Sequence, residues 1–237
     1  MAHQPREDAA GFDAHAGTYH DAVQHSIDFS GLDHAFFTRR KATHLLDLAA
    51  RLVGPVETLR ALDVGCGVGE TDGLLAGRFA ELEGIDTAKE ALRRAAAANP
   101  AVRYRVYDGS RLPYDDGTFD VALASCVFHH IPHDEHVALL GEIRRVLGPG
   151  GRLFVFEHNP LNPLTRHAVN TCEFDEHAQL VLAPTMRRRV RDAGFATADV
   201  RYRIFFPHAL RRLRPLEARM TWLPLGAQYY VVARKES

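Results

Sequence analysis

The sequence predicts an α/β protein built on a parallel sheet that helices cover on both faces. Two observations support this prediction. Short apolar strands alternate with helical segments between residues 59 and 157, as in folds where a helix connects each parallel strand to the next. The first of these strands, Leu59 to Val64, also runs into a glycine-rich turn and then into a helix. We therefore expect a ligand site at the end of that strand, where the helix start offers unpaired N–H groups.

Length and composition narrow the classes of protein that fit. A chain of 237 residues holds one complete α/β domain with a small appendage and is too short for two full domains. The hydrophobic share of 46% and the charged share of 25% are ordinary for a soluble protein, and no apolar run approaches the length of a membrane span. A net charge of −1 gives no reason to expect nucleic acid or an anionic membrane as a partner.

The cysteines and the polar N-terminus indicate the compartment. Cys66, Cys126 and Cys172 are scattered, without the spacing of a metal site or a disulfide framework, and we interpret them as reduced thiols. The first residues, Met1 to Asp8, lack the apolar core of a signal peptide. We therefore expect a cytoplasmic protein.

Two helices precede the first strand. They are predicted near Thr18 to Gln24 and over Asp33 to Val53, and the second has apolar residues at helical spacing. We assign residues 1–54 to an N-terminal helical cap and residues 55–237 to the main domain.

The main domain continues with strands and helices in regular order. The helix Ala88 to Ala98 is rich in alanine, leucine and arginine, and Asn99 and Pro100 stop it. An insertion over about residues 158–184 interrupts the order above the carboxyl ends of the strands, and we interpret it as a substrate lid. The other predicted elements are strands at Leu82 to Ile85, Val102 to Tyr107, Gly117 to Ser125, Arg152 to Phe156, Thr197 to Phe206 and Gln228 to Arg234, and helices at Val137 to Leu147 and Thr185 to Ala193.

The turn after the first strand carries glycines at Gly65, Gly67 and Gly69, where the backbone must turn sharply and let a ligand approach. Dinucleotide-binding proteins use a similar turn, but their pattern needs glycine where this chain has Glu70. Asp63 precedes the first glycine by two residues, so its carboxylate can face the ligand. A carboxylate there suits a ligand with an ammonium and a sulfonium better than a pyrophosphate. The turn thus favours S-adenosylmethionine over NAD.

Further motifs follow the glycine turn. Asp86 ends the second strand, where a carboxylate can accept hydrogen bonds from both hydroxyls of a ribose. The chain contains, in order, Leu-Asp-Val-Gly-Cys-Gly, Gly-Ile-Asp, Leu-Pro-Tyr-Asp-Asp-Gly-Thr-Phe-Asp, His-His-Ile-Pro and Leu-Gly-Pro-Gly-Gly. In these motifs it resembles the class I S-adenosylmethionine-dependent methyltransferases, in the branch of the ubiquinone/menaquinone-biosynthesis type. The resemblance covers residues 59–157.

The resemblance implies a Rossmann-like fold, with a seven-stranded, mostly parallel sheet, helices on both faces, an antiparallel last strand, an N-terminal helical cap and a small lid insertion after the fifth strand. It also implies S-adenosylmethionine as the cofactor. Tyr19 matches a tyrosine that closes over the cofactor in relatives, although packing on the domain would explain it equally well. Cys66 is a small filler of the turn. The cofactor-binding residues that we predict are Asp63, Gly65, Cys66, Gly67, Asp86, Thr87, Asp108, Gly109, Ser110, Ser125 and Tyr19.

Three histidines are candidate catalytic bases. His129 and His130 directly follow the fourth strand, which puts one of them near the cofactor's methyl group, unless it only caps or packs the next helix. His158 follows the fifth strand at the same rim, where it could act as a base or order the lid. A base is needed only if the acceptor is a hydroxyl, an acidic C–H or a protonated amine. In the lid, Asp175, Glu176 and His177 could contact the acceptor or form a helix start with acidic residues in its first turn.

We predict no metal site, because Pro132 and its loop break the helical spacing that His129, His133 and His136 would need. The predicted function is methyl transfer to oxygen, nitrogen or carbon of a small organic molecule, in a secondary-metabolite or sugar pathway. Two alternatives are a binding module that has lost transfer and an enzyme that methylates a macromolecule. A nucleic-acid enzyme would show a basic balance or an added binding domain. We expect a monomer or a homodimer.

Overall fold

The computed structural model describes residues 18–236, and its centre is a seven-stranded sheet. The strand order is β3-β2-β1-β4-β5-β7-β6, in which β7 runs antiparallel to both of its neighbours and the other neighbouring pairs are parallel. This confirms the predicted fold class. The strands are β1 (Arg60–Val64), β2 (Glu81–Asp86), β3 (Arg103–Val106), β4 (Phe119–Ser125), β5 (Leu147–His158), β6 (Thr197–Arg203) and β7 (Gln228–Arg234).

Helices surround the sheet because its central strands are apolar on both faces. In β1, Leu62 packs in a cluster with Leu140 and Met186, whereas its neighbour Ala61 packs on the opposite face with Leu45. Side chains alternate between the faces of a strand, so such a strand needs cover on both sides. The helices are α1 (Tyr19–Ile27), α2 (His34–Leu52), α3 (Glu70–Leu75), α4 (Lys89–Ala98), α5 (His136–Val146), α6 (Pro163–Thr171), α7 (Ala183–Asp192) and α8 (Glu217–Met220).

Two strands differ from their predicted limits by three residues or more at one end. The predicted start of β5 was Arg152, but the strand begins at Leu147, because the N–H of Gly150 donates to the Lys235 carbonyl and the N–H of Lys235 donates to the Gly151 carbonyl. The ladder beside β7 therefore continues through the glycine-rich segment. The edge strand β6 ends at Arg203 and not at Phe206, because Ile204 has a left-handed backbone with φ of 61° that breaks the strand.

Two segments lie over the carboxyl ends of the strands. The helices α1 and α2 occupy the predicted cap, and the part of the cap before Thr18 lies outside the described residues. The predicted lid contains α6 and a short 3₁₀ turn, Glu173–Asp175. Helix α1 contacts both parts of the lid, so cap and lid together roof the ends of β1, β2, β4 and β5. Within residues 18–236, every helix is too short or too polar to span a bilayer.

Candidate active site

A cavity of about 710 Å³ lies between the strand ends and the roof formed by α1, α2 and α6. Its volume is in the range of cavities that enclose small-molecule ligands. Of the residues predicted to bind the cofactor or to act as a base, those that line it are Tyr19, Asp63, Gly65, Cys66, Gly67, Asp86, Thr87, Ser125, His129, His130 and His158.

The structure does not bring Asp108, Gly109 and Ser110 to this cavity. One carboxylate oxygen of Asp108 accepts hydrogen bonds from the N–H of Ser110 at 2.8 Å, from its hydroxyl at 2.7 Å and from the N–H of Arg111 at 3.2 Å. The side chain therefore closes its own turn after β3, as short acidic side chains commonly do. Tyr107, one residue earlier, lines the cavity instead.

The glycine turn has the backbone that its sequence predicts. Gly65, Gly67 and Gly69 have φ of 74°, 55° and 74°, a left-handed region that glycine enters without cost. A Cβ on Gly65 would lie 2.5 Å from Cγ2 of Val127, so this glycine is also required by the close approach of the chain after β4. The turn thus exposes its backbone directly to the cavity.

Asp86 joins the end of β2 to the glycine turn. One of its carboxylate oxygens accepts the N–H of Gly67 at 2.8 Å, and the other accepts the N–H of Ala88 at 3.0 Å. A carboxylate oxygen can accept more than one hydrogen bond. The carboxylate is therefore fixed in place at the cavity wall and remains able to receive hydroxyl groups of a ligand.

Asp63 is buried beneath the same turn, 3% exposed, and its Oδ1 has no hydrogen-bond partner among residues 18–236. Burial raises the pKa of Asp63 well above its usual value, and the nearby Asp72 raises it further. Burial likewise raises the pKa of Asp72, to about 6. An unpaired buried acceptor is costly, so a ligand that brings a cationic donor to the turn would stabilise Asp63. The sequence pattern singled out Asp63 but not Asp72.

On the other side of the cavity, His129 and Glu157 form a buried pair. The short 3₁₀ turn Phe128–His130 begins three residues after the end of β4, and His129 Nδ1 lies 2.7 Å from Glu157 Oε2 on β5. The second oxygen of Glu157 accepts the N–H groups of Val127 at 3.1 Å and Phe128 at 2.8 Å. Both side chains are 1% exposed, so the ring of His129 is held in one orientation.

Asp175 reaches the same histidines from the lid. Its Oδ1 lies 3.4 Å from His129 Nε2 and 3.5 Å from His130 Nε2. Burial would lower the pKa of His129, but Glu157 and Asp175 outweigh it and raise this pKa well above the usual value. Burial and the neighbouring His129 lower the pKa of His130 to about 3. The two carboxylates thus favour the protonated form of His129, whereas burial disfavours that of His130.

A second polar group lies at the end of β4, and the sequence pattern did not reveal that Lys41 and Cys126 belong to it. Lys41 on α2 donates to Ser125 Oγ at 2.9 Å and to Cys126 Sγ at 3.6 Å. Burial would raise the pKa of the Cys126 thiol, but Lys41 and His158 outweigh it and lower this pKa to about 6. In turn, burial would lower the pKa of His158, but Cys126 raises it above the usual value. Only a run of basic residues on α2 marks Lys41 in the sequence.

Comparison with known proteins agrees with this geometry. Residues 62–155 match the methyltransferase domain family. The 27-O-demethylrifamycin SV methyltransferase of Amycolatopsis mediterranei is 32% identical over 157 residues, which are 63% of this chain and 57% of that protein. The demethylmenaquinone methyltransferase of Thermus thermophilus is 38% identical over 107 residues, 43% of this chain and 48% of that protein. The chain thus spans about half the length of these two relatives.

A solved structure shows the same fold over most of the chain. It is an S-adenosylmethionine-dependent methyltransferase of Thermotoga maritima, described as a possible histamine N-methyltransferase. The TM-score is 0.62 at 20% sequence identity, and the alignment covers 85% of this chain and 93% of that one. The domain match and the two relatives show that this part of the chain is similar to methyltransferases, as its motifs predicted. The strand order and the solved structure show the Rossmann-like fold of an S-adenosylmethionine-dependent methyltransferase.

Proposed function

We propose that the protein binds S-adenosylmethionine at the glycine turn and transfers its methyl group to a small organic molecule in the same cavity. One observation carries this proposal. A single cavity is lined on one side by the glycine turn and Asp86, and on the other by His129, His130 and His158. Donor and acceptor sites of a transfer reaction must adjoin, because the reacting atoms have to meet in line.

The residues on the first side fit the cofactor. Asp86 would receive ribose hydroxyls, and the orphaned Oδ1 of Asp63 would accept a donor from the cationic amino-acid part. Gly65 and Gly67 line the cavity without side chains, so the backbone of the turn can lie next to the ligand. When bound, S-adenosylmethionine supplies a methyl group on a sulfonium, which is already activated for displacement. The protein then needs mainly to orient the acceptor and to exclude water.

The enclosure of the cavity by the roof favours a small molecule as the acceptor. Helices α1, α2 and α6 enclose the cavity, and a volume of about 710 Å³ suits a metabolite better than a chain segment of a macromolecule. Much of the remaining lining is apolar, from Val23, Ile27, Phe29, Phe37, Leu164, Phe174, Phe205 and Phe206. We propose an acceptor with an apolar body whose hydroxyl or amine faces the histidines.

The histidines would have different roles. His129 faces carboxylates with both ring nitrogens, so it is a positioning residue that holds Asp175 and the chain after β4. His130 and His158 remain the candidates to receive a proton from the acceptor, as predicted from the sequence.

The proposal is tested by incubating the protein with S-adenosylmethionine and a metabolite extract, followed by mass spectrometry. The expected result is a compound that gains one methylene while S-adenosylhomocysteine accumulates. The matched control is Asp86→Ala, which should lose both signals. Cofactor binding without any methylated product would favour the alternative of a binding module, and an absence of cofactor binding would overturn the proposal altogether.

A further inference from the structure

We infer that His129, His130 and Asp175 form a binding site for a divalent cation of the Zn²⁺ or Co²⁺ type at the acceptor end of the cavity. The site would hold an oxygen of the acceptor beside the cofactor, with His130 as a ligand of the cation and His158 left as the candidate to receive the acceptor's proton. This role for the cation rests on the proposed function, whereas the site itself follows from the arrangement of the three side chains.

The distances match those between the ligands of a tetrahedral metal ion. Asp175 Oδ1 lies 3.4 Å from His129 Nε2 and 3.5 Å from His130 Nε2, and all three atoms lie within 4.8 Å of one another. With bonds of about 2.1 Å, tetrahedral ligand atoms are about 3.4 Å apart. The Asp175 oxygen therefore has the spacing of a neighbouring ligand to each histidine, and a cation between them would replace the contacts that now join them directly.

The surroundings of His129 are those of a metal-ligating histidine. Its Nδ1 lies 2.7 Å from Glu157 Oε2, so Glu157 would keep the proton on Nδ1, and a cation that displaces the proton on Nε2 would bind the lone pair on the side of Asp175. Carboxylates in this position fix the tautomer and orientation of histidine ligands in metal sites. Glu157 is itself fixed by two backbone N–H groups, from Val127 and Phe128.

The three ligands come from two segments that the fold holds together. The N–H of Gln179 donates to the His129 carbonyl at 2.7 Å, which ties the lid to the turn after β4 close to Asp175. His129 is 1% exposed, Asp175 is 14% exposed and His130 is 32% exposed. The open side of the cluster thus faces the cavity. Three protein ligands with one open position are typical of catalytic zinc sites.

This arrangement indicates the class of acceptor. A bound cation stabilises a deprotonated oxygen and lowers the pKa of a hydroxyl that it coordinates. An acceptor with an oxygen nucleophile, such as a phenol or an enolised hydroxyl, would be oriented and activated by the same ion. A second cluster, His20, His34 and Glu70, is less suited, because His20 is 59% exposed on the outer part of α1.

The protein is first treated with a chelator. It is then titrated with Co²⁺, whose binding is followed by visible absorption, and separately with Zn²⁺, whose binding is followed by calorimetry. We expect one equivalent to bind, with the intense visible bands of tetrahedral Co²⁺. Asp175→Asn and His130→Ala should weaken binding at least about tenfold, and Glu157→Gln about 10- to 100-fold. The control is His133→Ala, which removes an exposed histidine nearby and should leave the affinity unchanged.

Circular dichroism establishes that each variant is folded before it is titrated. Absence of stoichiometric binding to the wild-type protein would overturn the inference, as would binding that survives Asp175→Asn but is lost in His20→Ala. The affinity for S-adenosylmethionine is measured separately on the metal-free protein. Failure of the proposed function would appear there, whereas failure of the metal site appears only in the Co²⁺ and Zn²⁺ titrations.

Discussion

Glu157 Oε2 lies 2.7 Å from His129 Nδ1, and both side chains are 1% exposed. The pair joins β5 to the turn after β4, since the other oxygen of Glu157 accepts backbone N–H groups of that turn. A buried carboxylate is tolerated only when its oxygens are paired. Both oxygens of Glu157 are paired with residues 127–129, the segment that carries His129. Glu157 therefore connects the stability of the domain with the geometry of the site.

The first prediction is that Glu157→Gln destabilises the protein by about 3 kcal/mol, because it removes one partner of a buried charged pair. Urea unfolding of the variant and the wild-type protein measures the change. Glu57→Gln is the control, since Glu57 is exposed in the turn before β1 and should alter the free energy of unfolding by less than about 0.5 kcal/mol. Equal effects of the two variants would contradict a structural role for the Glu157–His129 pair.

The second prediction concerns the glycine turn. Gly65→Ala should cost at least about 2 kcal/mol of stability and weaken S-adenosylmethionine binding, because φ is 74° and the new Cβ would lie 2.5 Å from Val127. Gly141→Ala is the matched control. Gly141 lies in α5 with no atom near its added Cβ, so this variant should be neutral or up to about 1 kcal/mol more stable. Thermal unfolding and calorimetry distinguish the outcomes, and a harmless Gly65→Ala would show that the turn tolerates a side chain.

Local pattern predicted the parallel sheet with helices on both faces, because apolar periodicity and the glycine turn are properties of short segments. The limits of β5 could not be predicted from local pattern alone. The segment Gly148–Gly151 has the composition of a turn, and it extends the strand only because residues after β7 supply its hydrogen-bond partners. A hydrogen-bond partner so far along the chain leaves no signal in the local sequence. The end of α4, by contrast, is marked locally by Asn99 and Pro100, which stop the helix.

The same distinction holds for the site. Asp63, Asp86 and His129 stand at strand ends, which the topology gathers at one edge of the sheet, so their position could be predicted. Lys41 and the pairing of Asp175 with the histidines depend on how cap and lid fold over that edge. Asp108 was predicted to lie at the same edge, but its carboxylate accepts hydrogen bonds within its own turn. A short acidic side chain can bond either to its own turn or to a ligand, and the sequence does not show which of the two it does.

The third prediction compares Asp86 with Asp108 in cofactor binding. Asp86→Ala should weaken S-adenosylmethionine binding by a few kcal/mol, about 3, because the ribose loses its acceptor and the N–H of Gly67 loses its partner. Asp108→Ala should leave the affinity within about twofold, since Asp108 lies outside the cavity. Isothermal titration calorimetry compares the two. An equal loss in both variants would restore Asp108 to the cofactor site, and no loss in either would remove Asp86 from it.

The last prediction concerns the thiol of Cys126. Its pKa is lowered to about 6 because Lys41 and His158 outweigh burial, whereas burial raises the pKa of Cys66 and raises that of Cys172 to about 11. The thiolate is the reactive form, so iodoacetamide at pH 7 should label Cys126 well before the other two cysteines. Its rate should fall as the pH drops through 6, where the thiolate takes up a proton.

Lys41→Met tests whether Lys41 lowers the pKa of Cys126, because it removes the ammonium that lies 3.6 Å from the sulfur. Its loss should raise the pKa of Cys126 and slow labelling at pH 7 about tenfold, with recovery at higher pH. Arg39→Met, an exposed cation on the same helix, should leave the rate unchanged. Peptide mass spectrometry follows each cysteine separately. Labelling of Cys126 that is no faster than that of Cys172, or that ignores the loss of Lys41, would mean that the lysine does not stabilise the thiolate.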